Sequence, residues 1–261
     1  MSQSLVKAIQ LLDCFKEKHE LSLLELVEIS EMPKTTVFRL VSSLEDSGLI
    51  VKTKYSSHDV KYKLGMKLLE FGKLISEQME YRKIALPYMV NINEKLNETV
   101  HLAVVEGEEV VYVENLDSNR PIRLVIRVGT RAPLYAGSAA KVLLANSDKV
   151  KREDYLRRLK LNKIGKNTIE DMEQLQKQLK EIREKGYSIS RQEIYDDTMG
   201  FSCPIRDYSG ETIAALGVSI PVADYNEEKA KLILDEIIRA TNQISTELGY
   251  KEVQKNWISL P

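Results

Sequence analysis

The sequence predicts an α+β protein with two domains, and three observations lead to that prediction. The chain has 261 residues, which is long enough for two hydrophobic cores. Residues 4–64 have the periodicity of short helices followed by a hairpin. Further along the chain, strand-like runs are followed by helical runs and then by strand-like runs again, which favours a second domain with a mainly antiparallel sheet.

The first domain opens with a predicted helix over about Ser4–Lys18, and a second helix begins at Ser22. Ser22 and Glu25 have the spacing of a capping box, in which each side chain accepts a hydrogen bond from a backbone N–H at the helix start. This helix is expected to end near Ser30. Pro33 suits the first position of the next helix, because the N–H that it lacks would be unpaired there.

The third predicted helix runs from Pro33 to a cap at Gly48 and has two different sides. Apolar residues recur at the i, i+3, i+4, i+7 spacing of a buried stripe. They are Val37, Leu40, Val41 and Leu44. The other side is cationic and rich in hydroxyls, which suits the major groove of DNA. The DNA contacts predicted on this helix are Lys34, Thr35, Thr36 and Arg39.

Two strand-like runs, Leu49–Tyr55 and Val60–Leu64, follow this helix and predict a hairpin, or wing. Their lysines stand at alternate positions, so each pair lies on one face of its strand. Such a wing can lay ammonium groups along DNA phosphates. The alternative is a solvated, lysine-rich hairpin. The lysines concerned are Lys52, Lys54, Lys61 and Lys63.

Positive charge is concentrated in this part of the chain. The whole protein has a net charge of −1. Residues 33–67 carry seven cations and three anions, a net charge of +4, so that the remainder carries −5. That asymmetry favours a nucleic-acid-binding end joined to an acidic body.

The sequence contains little that favours catalysis, metal binding or a membrane. Cys14 and Cys203 are the two cysteines, and they predict neither a disulfide framework nor a zinc site. Cys203 and His101 could form a nucleophile and its base, but no local signature accompanies them, and packing of Cys203 inside a strand is favoured. No apolar run approaches the roughly 20 residues of a membrane span. We expect a cytoplasmic protein that is not an enzyme and has no metal or cofactor.

The rest of the chain predicts a linker and a longer domain. We expect a DNA-binding domain over 1–65, a linker helix over 66–80, a second domain over 81–250 and a tail over 251–261. A helix over Tyr81–Asn97 should kink or break at Pro87. The predicted strands are Thr99–Glu106, Glu108–Glu114, Ile122–Val128, Tyr187–Glu193, Phe201–Arg206 and Thr212–Ile220. The predicted helices are Ser138–Asn146, Lys149–Lys160, Thr168–Lys185 and Glu227–Leu248.

The segment Arg131–Lys141 is a predicted loop that runs into a helix and is rich in small residues. Small residues let a ligand approach the backbone closely, and exposed N–H groups with the helix dipole favour an anion. Ser138 adds a hydroxyl. The alternative is a helix start that packs closely on the sheet, so the segment predicts either a ligand site or close packing.

Together these segments resemble the IclR family of bacterial transcription regulators, over nearly the whole chain. In the first domain the resemblance is carried by Ser4–Ile9, Met32–Leu40, Gly48–Ile50 and Lys61–Gly65. In the second it is carried by Pro133–Ala145, Gly186, Tyr187, Pro204–Asp207, Gly210, Ala214 and Ala215.

The resemblance implies a winged helix-turn-helix domain, a linker helix and a C-terminal effector domain of GAF-like or profilin-like form. Such a protein is expected to regulate transcription, as a repressor of a catabolic operon. Its partners would be a double-stranded DNA operator, a small organic-acid effector and further copies of itself, as a homodimer or homotetramer. Glyoxylate or pyruvate, aromatic acids and sugar acids are the effector classes implied. The alternative is a constitutive DNA-binding protein whose second domain only oligomerises.

The resemblance also implies where the effector lies. The implied effector-binding residues are Gly137, Ser138, Ala139, Glu193, Gly200, Gly217 and Ser219. The chain departs from the family pattern at Tyr135, where His is usual, and at Ala140, where Gly is usual. At Gly217 other members can carry a Ser that contacts the ligand. These departures predict fewer side-chain donors and a different ligand.

Overall fold

The computed structural model describes residues 3–56, 59–120, 124 and 126–251, with the backbone alone at residues 76 and 77. The chain divides into two compact units, one up to Met79 and one from Glu80 onward. The first combines helices with a small sheet, and the second packs helices on a six-stranded sheet. The predicted α+β class is therefore confirmed. Within the described ranges, no helix is long and apolar enough to cross a membrane.

The first unit is a helical domain with a three-stranded antiparallel sheet in the order β1-β3-β2. Its elements are α1 (Gln3–Asp13), β1 (Leu21–Ser22), α2 (Leu23–Ser30), α3 (Lys34–Asp46), β2 (Ile50–Lys54), β3 (Val60–Leu64) and α4 (Lys67–Gln78). Helix α1 is shorter than predicted because the chain tightens into a 3₁₀ turn at Cys14–Lys16. The predicted wing turn falls partly on residues 57 and 58, which lie outside the described residues.

Local signals set the helix ends of this unit. The Glu25 N–H donates to Ser22 Oγ over 3.3 Å, and the Ser22 N–H donates to the Glu25 carboxylate over 2.8 Å, which confirms the capping box. Pro33 is the N-cap of α3, one position earlier than predicted. Gly48 adopts φ +76° after α3, a conformation that favours glycine.

The core of the first unit forms around the predicted stripe of α3. All four stripe residues are buried, at exposures of 5% or less. They pack against side chains of the other helices and of the hairpin, among them Leu11, Leu26, Ile50 and Tyr62. The 3.6-residue periodicity thus identified the buried side of this helix correctly.

The second unit is built on a six-stranded antiparallel sheet in the order β6-β5-β4-β9-β8-β7. Its strands are β4 (Thr99–Glu106), β5 (Glu109–Leu116), β6 (Arg131–Pro133), β7 (Ser188–Arg191), β8 (Thr198–Arg206) and β9 (Thr212–Pro221). Its helices are α5 (Glu80–Leu96), α6 (Ser138–Asn146), α7 (Lys149–Arg158), α8 (Met172–Lys185) and α9 (Glu227–Glu247).

The predicted strand over 122–128 is wrong where the structure describes it. Residues 124 and 126–128 are not in a strand, and residues 122, 123 and 125 lie outside the described residues. The outer edge of β5 is taken by the chain just beyond, since the Tyr112 N–H donates to the Thr130 carbonyl and β6 pairs with β5. Alternating residues alone cannot make a strand without an edge to pair with.

Two helix predictions also need correction. Helix α5 continues through Pro87, so it does not break there, because its packing on β4, β5 and α9 outweighs one lost backbone hydrogen bond. The kink, which is the other predicted outcome, stays a prediction. Helix α8 begins at Met172 rather than Thr168. The carboxylate of Asp171 accepts the Gln174 N–H over 2.8 Å and caps the helix there.

The two faces of the large sheet differ in chemistry. Register places small and polar residues side by side across neighbouring strands, in rows that extend to Ser188 and Ser190 on β7. One row is Ser202, Gly217 and His101, and the next is Gly200, Ser219 and Thr99. Helix α6 packs over this face, where Ala103 and Ala215 also join an apolar core. The opposite face carries buried apolar side chains such as Val100, Phe201 and Val218. Any polar site on this sheet therefore lies beneath α6.

Candidate functional site

The solvent side of α3 is the first candidate site. Lys34, Thr35 and Arg39 are exposed and Thr36 is half-buried, opposite the buried stripe. The first turn of the helix carries no acid. Short hydroxyls and one guanidinium on an exposed helix start are suited to base edges and phosphates in a major groove.

The hairpin of β2 and β3 carries its four lysines on two faces rather than one. Lys52 and Lys54 lie on the face that carries the buried Tyr62, because directly paired residues share a face. Lys61 and Lys63 lie on the opposite face. The two lysine pairs cannot both lie flat against one phosphate row.

Lys61 also has a partner within the first unit. Its Nζ lies 5.8 Å from the centre of the Tyr55 ring, a cation–π distance. The Tyr55 hydroxyl in turn donates to the Glu20 carboxylate over 2.9 Å. Lys52, Lys54 and Lys63 are exposed, whereas Lys61 is half-buried. Neither contact could be foreseen from the spacing of the lysines.

The second candidate site is a cavity under α6, of about 540 Å³ counted out to its open mouth. Most of the residues that the family resemblance implied line it, namely Gly137, Ser138, Glu193, Gly200 and Ser219. Ala139 is buried in the first turn of α6, and Gly217 lies beneath the ring of His101. These two residues shape the cavity from behind rather than lining it.

Several lining residues were missed by sequence reasoning. The polar ones include His101, Tyr112, Thr130, Ser190, Tyr195 and Thr198. They come from β4, β5, β7, β8 and two connecting segments. The alternation along β4 does place His101 on the same face as Ala103, but it does not say which face meets α6.

Two glycines leave room for polar side chains on the sheet. A Cβ at Gly200 would lie 2.6 Å from Ser138 Oγ, and one at Gly217 would lie 2.3 Å from His101 Cε1. In that space the hydroxyls of Ser138 and Ser202 form a hydrogen bond of 2.9 Å. The absence of a side chain at Gly217, on β9, therefore leaves the space that the His101 imidazole of β4 occupies.

An internal carboxylate already occupies the start of α6. Glu193 accepts the Gly137 N–H over 3.0 Å and forms an ion pair with Lys141, which is fully buried. Lys141 also donates to Gln178 over 2.9 Å. Burial lowers the pKa of Lys141, and Glu193 opposes that shift. The amide of Gly137, which we expected to be exposed to a ligand anion, is thus bound by the protein's own side chain.

His101 lies in the cavity wall and is 1% exposed. Its Nε2 is 3.1 Å from Ser219 Oγ, and Tyr112 meets the ring edge-on with centroids 5.2 Å apart. Burial lowers the pKa of His101 to about 4, so the ring is neutral at neutral pH. Its other nitrogen, Nδ1, is buried and has no hydrogen-bond partner in the part of the chain that the structure describes.

Cys203 is not placed for catalysis. It lies in β8, is 1% exposed, and burial raises the pKa of its thiol to about 12. A buried, protonated thiol is a poor nucleophile. The register also places Cys203 and His101 on opposite faces of the sheet, so they do not form the nucleophile–base pair considered above.

Comparison with known protein families gives a match to each unit. Residues 4–54 match the IclR helix-turn-helix domain, and residues 74–246 match the family described as bacterial transcriptional regulator IclR C-terminal. The HTH-type transcriptional regulator KipR of Bacillus subtilis (strain 168) is 33% identical over 249 residues, covering 95% of this chain and 98% of KipR. KdgR of Escherichia coli (strain K12) is 28% identical over 249 residues, covering 95% and 94%.

Solved structures agree with this assignment. The Thermotoga maritima IclR has a TM-score of 0.80 at 29% identity, covering 96% of this chain and 100% of that one. An IclR homologue from Microbacterium hydrocarbonoxydans, complexed with 4-hydroxybenzoate, has a TM-score of 0.80 at 27% identity, covering 94% and 99%. With a helix-turn-helix unit and a cavity-bearing second unit, this chain belongs to the IclR family of bacterial transcriptional regulators and is a ligand-responsive DNA-binding protein, not an enzyme.

Proposed function

We propose that this protein represses a catabolic operon and that a small organic acid, bound in the cavity of the second unit, releases it from its operator. The observation that carries the proposal is the division of α3 into a buried stripe and an exposed side with Thr35 and Arg39. Among the described residues of the first unit, none forms an ion pair with Lys34 or Arg39, which leaves that exposed side available to DNA.

In this proposal Thr35, Thr36 and Arg39 contact bases or the adjacent phosphates. The Arg39 guanidinium can make a bidentate contact with guanine. Lys34 and the wing lysines hold the DNA backbone. Lys52 and Lys54 are favoured over the other pair, because they lie on the face of the hairpin that carries core residues and α3 packs against β2.

The lining of the cavity favours a small ligand that has both apolar and polar groups. It combines apolar side chains such as Leu124 and Ile126 with a small number of polar groups, as small-molecule sites do. The Microbacterium hydrocarbonoxydans homologue is complexed with 4-hydroxybenzoate, an aromatic acid. Small organic acids, of the glyoxylate or pyruvate, aromatic-acid or sugar-acid classes, are therefore the effectors that we propose.

Exposed apolar residues on the first unit support a homodimer. Helix α4 exposes Leu69 at 64%, Leu74 at 56% and Ile75 at 57%, and α1 exposes Leu5 at 65%. Apolar faces of this kind on a soluble unit favour a protein partner. A second copy would cover them and would set two α3 helices against two half-sites, about 34–36 Å apart on DNA. Pairing of such dimers through the second unit would give the homotetramer.

Fluorescence anisotropy with the DNA upstream of the protein's own gene tests the proposal, at low salt and with pyruvate, glyoxylate, 4-hydroxybenzoate and gluconate added in turn. We expect saturable binding that one acid weakens, because an effector acts only if it binds one arrangement of the dimer better than the other. The same acid should raise the melting temperature.

Three outcomes would contradict parts of the proposal. No binding to that DNA would remove the repressor role. Tight binding that no acid changes would favour the alternative of a constitutive DNA-binding protein. An acid that tightens DNA binding would show that the effector does not release the protein from its operator.

A further inference from the structure

The charged side chains among the described residues that line the cavity, Arg131 and Glu193, are already paired within the second unit. Arg131 forms ion pairs with Glu106 and Glu109. Glu193 is paired with the buried Lys141. A carboxylate that enters the cavity would therefore meet no uncommitted cation among the described lining residues. Burying a carboxylate without a counter-charge is unfavourable.

His101 is the basic group at the cavity wall whose hydrogen bonding is incomplete. One ring nitrogen, Nε2, is matched to the Ser219 hydroxyl, and the other, Nδ1, is buried without a partner among the described residues. A buried polar atom without a partner costs free energy that a ligand can recover. Gly217 gives the ring the space that it occupies.

We propose that His101 is a ligand-contacting residue that takes up one proton from solvent when a carboxylate effector binds. The resulting imidazolium donates its Nδ1–H to the carboxylate and its Nε2–H to the oxygen of Ser219. The inference rests on the proposed function, since it assumes an organic-acid effector. It makes proton uptake, rather than a resident arginine or lysine, the source of the counter-charge.

The surroundings of the ring support a change of charge on binding. In the described part of the second unit, the titratable groups besides His101 that face the cavity are Tyr112 from β5, Arg131 from β6, and Glu193 and Tyr195 from the segment after β7. On β9 the ring meets Gly217 and Ser219, which do not titrate, and the lysine of α6 is held by Glu193. Burial raises the pKa of Tyr112, so its phenol stays neutral.

The sign of the pH dependence follows from the two states of His101. In the ligand-free protein, burial holds the pKa of His101 at about 4, so the ring is neutral above that pH. A carboxylate at Nδ1 raises this pKa. Between the two pKa values, binding takes up one proton, and the affinity falls by up to about tenfold for each unit of rising pH.

Isothermal titration calorimetry on the full chain tests this directly, with 4-hydroxybenzoate and pyruvate as probes. Titrations in phosphate and in Tris at several pH values between about 6 and 8 give the number of protons taken up, because the two buffers differ in ionisation enthalpy. We expect close to one proton at the acid end for the wild type and none for His101→Gln. The matched control is His19→Gln, an exposed histidine of the first unit, which should leave the uptake unchanged.

A second measurement keeps the test independent of the folding of the variant. In the wild-type protein labelled with ¹⁵N-histidine, adding the acid should move the two ring nitrogens of His101 from the neutral to the imidazolium pattern. Binding of an acid without proton uptake, or uptake that persists in His101→Gln, would overturn this inference and leave the organic-acid effector standing. If neither probe nor any acid of the screen binds, the proposed effector class fails and the inference falls with it.

Discussion

The two units of this protein carry their candidate sites in opposite ways. In the first unit the site is an exposed surface made by one helix and one hairpin, all between Pro33 and Leu64. In the second it is a cavity with an open mouth, lined by residues from His101 to Ser219. A surface site needs only the local geometry of a helix, whereas a cavity needs strands that are distant in the sequence to come into register.

The two units also treat charge differently. Lys34, Arg39 and Lys54 are exposed to water, which solvates them until a partner arrives. Lys141 of the second unit is fully buried and depends on Glu193. Changes to charge should therefore alter binding in the first unit and stability in the second.

The largest effect is expected from Lys141→Met. Removing the ammonium leaves the Glu193 carboxylate buried without its cation, which costs about 3–5 kcal/mol of unfolding free energy. Urea unfolding followed by circular dichroism measures it. The control is Lys149→Met, whose side chain is 77% exposed and should change little. A loss below about 1 kcal/mol would show that the stability of the second unit does not depend on its buried ion pair.

Gly217→Ala should affect the cavity rather than the DNA surface. The new methyl group would lie 2.3 Å from His101 Cε1 and 2.5 Å from Ser202 Oγ, so the imidazole must move. We expect a loss of about 1–3 kcal/mol in stability together with a loss of effector response, at unchanged DNA affinity. Gly72→Ala is the control, because a Cβ there meets no described atom within 4 Å beyond its own helix backbone and chain neighbours. It should leave the effector response unchanged and raise stability slightly, since Ala favours a helix more than Gly does. A normal effector response in Gly217→Ala would show that the position of the His101 ring does not matter for effector binding.

Arg39→Ala should affect DNA binding and leave stability unchanged. Loss of a bidentate guanine contact costs about 1–3 kcal/mol in operator affinity. Anisotropy with operator and with unrelated DNA separates this loss from a general one. Arg157→Ala, at a side chain of α7 that is 74% exposed, serves as the control. Unchanged operator binding by Arg39→Ala would remove the recognition role of α3.

Ser22→Ala tests the N-terminal cap of α2. We expect this substitution to lower the stability of the first unit. Losing the capping hydroxyl costs about 1 kcal/mol. The ion pair with Lys18 and the hydrogen bonds from Ser22 lower the pKa of Glu25 to about 2. A lowered pKa adds stability above the ordinary value near 4.5, and that stability is lost as the pH falls toward 2.

Thermal melts between about pH 2 and 7 measure both effects of the cap. Ser22→Ala should lower the melting temperature and make its fall in acid less steep. Ser43→Ala is the control, because that hydroxyl donates to the Arg39 carbonyl inside α3 and caps no helix start. If the melting temperature of Ser22→Ala fell as steeply in acid as that of the wild type, Ser22 would have no effect on the titration of Glu25.

The smallest effect is expected in the wing, where lysines on the two faces of the hairpin should contribute differently to DNA binding. Lys54→Ala should reduce the slope of log affinity against log salt by about 1, equally for operator and unrelated DNA. Lys63→Ala, on the other face of the hairpin, should reduce it less. Equal reductions would mean that the wing enters the groove edge-on and that its faces are equivalent.

Much of the first unit could be predicted from the sequence, because its signals are local. The stripe of α3, the capping box at Ser22 and the hairpin each depend on residues within a few positions of one another. What the spacing could not predict there was the relation between the two lysine pairs. Each pair was placed correctly on its own strand, but register between the strands put the pairs on opposite faces.

By itself, the sequence determined the α+β class, the buried side of α3 and the family, since periodicity, caps and motif spacing are written in the order of residues. Only the tertiary structure decided that Glu193 fills the start of α6, that β6 rather than residues 122–128 takes the edge of β5, and that His101 lies over Gly217. Each of these depends on which strand edge or helix end comes next to which residue. That choice is made by the packing of the whole sheet, where the free energy of burial is shared among residues far apart along the chain.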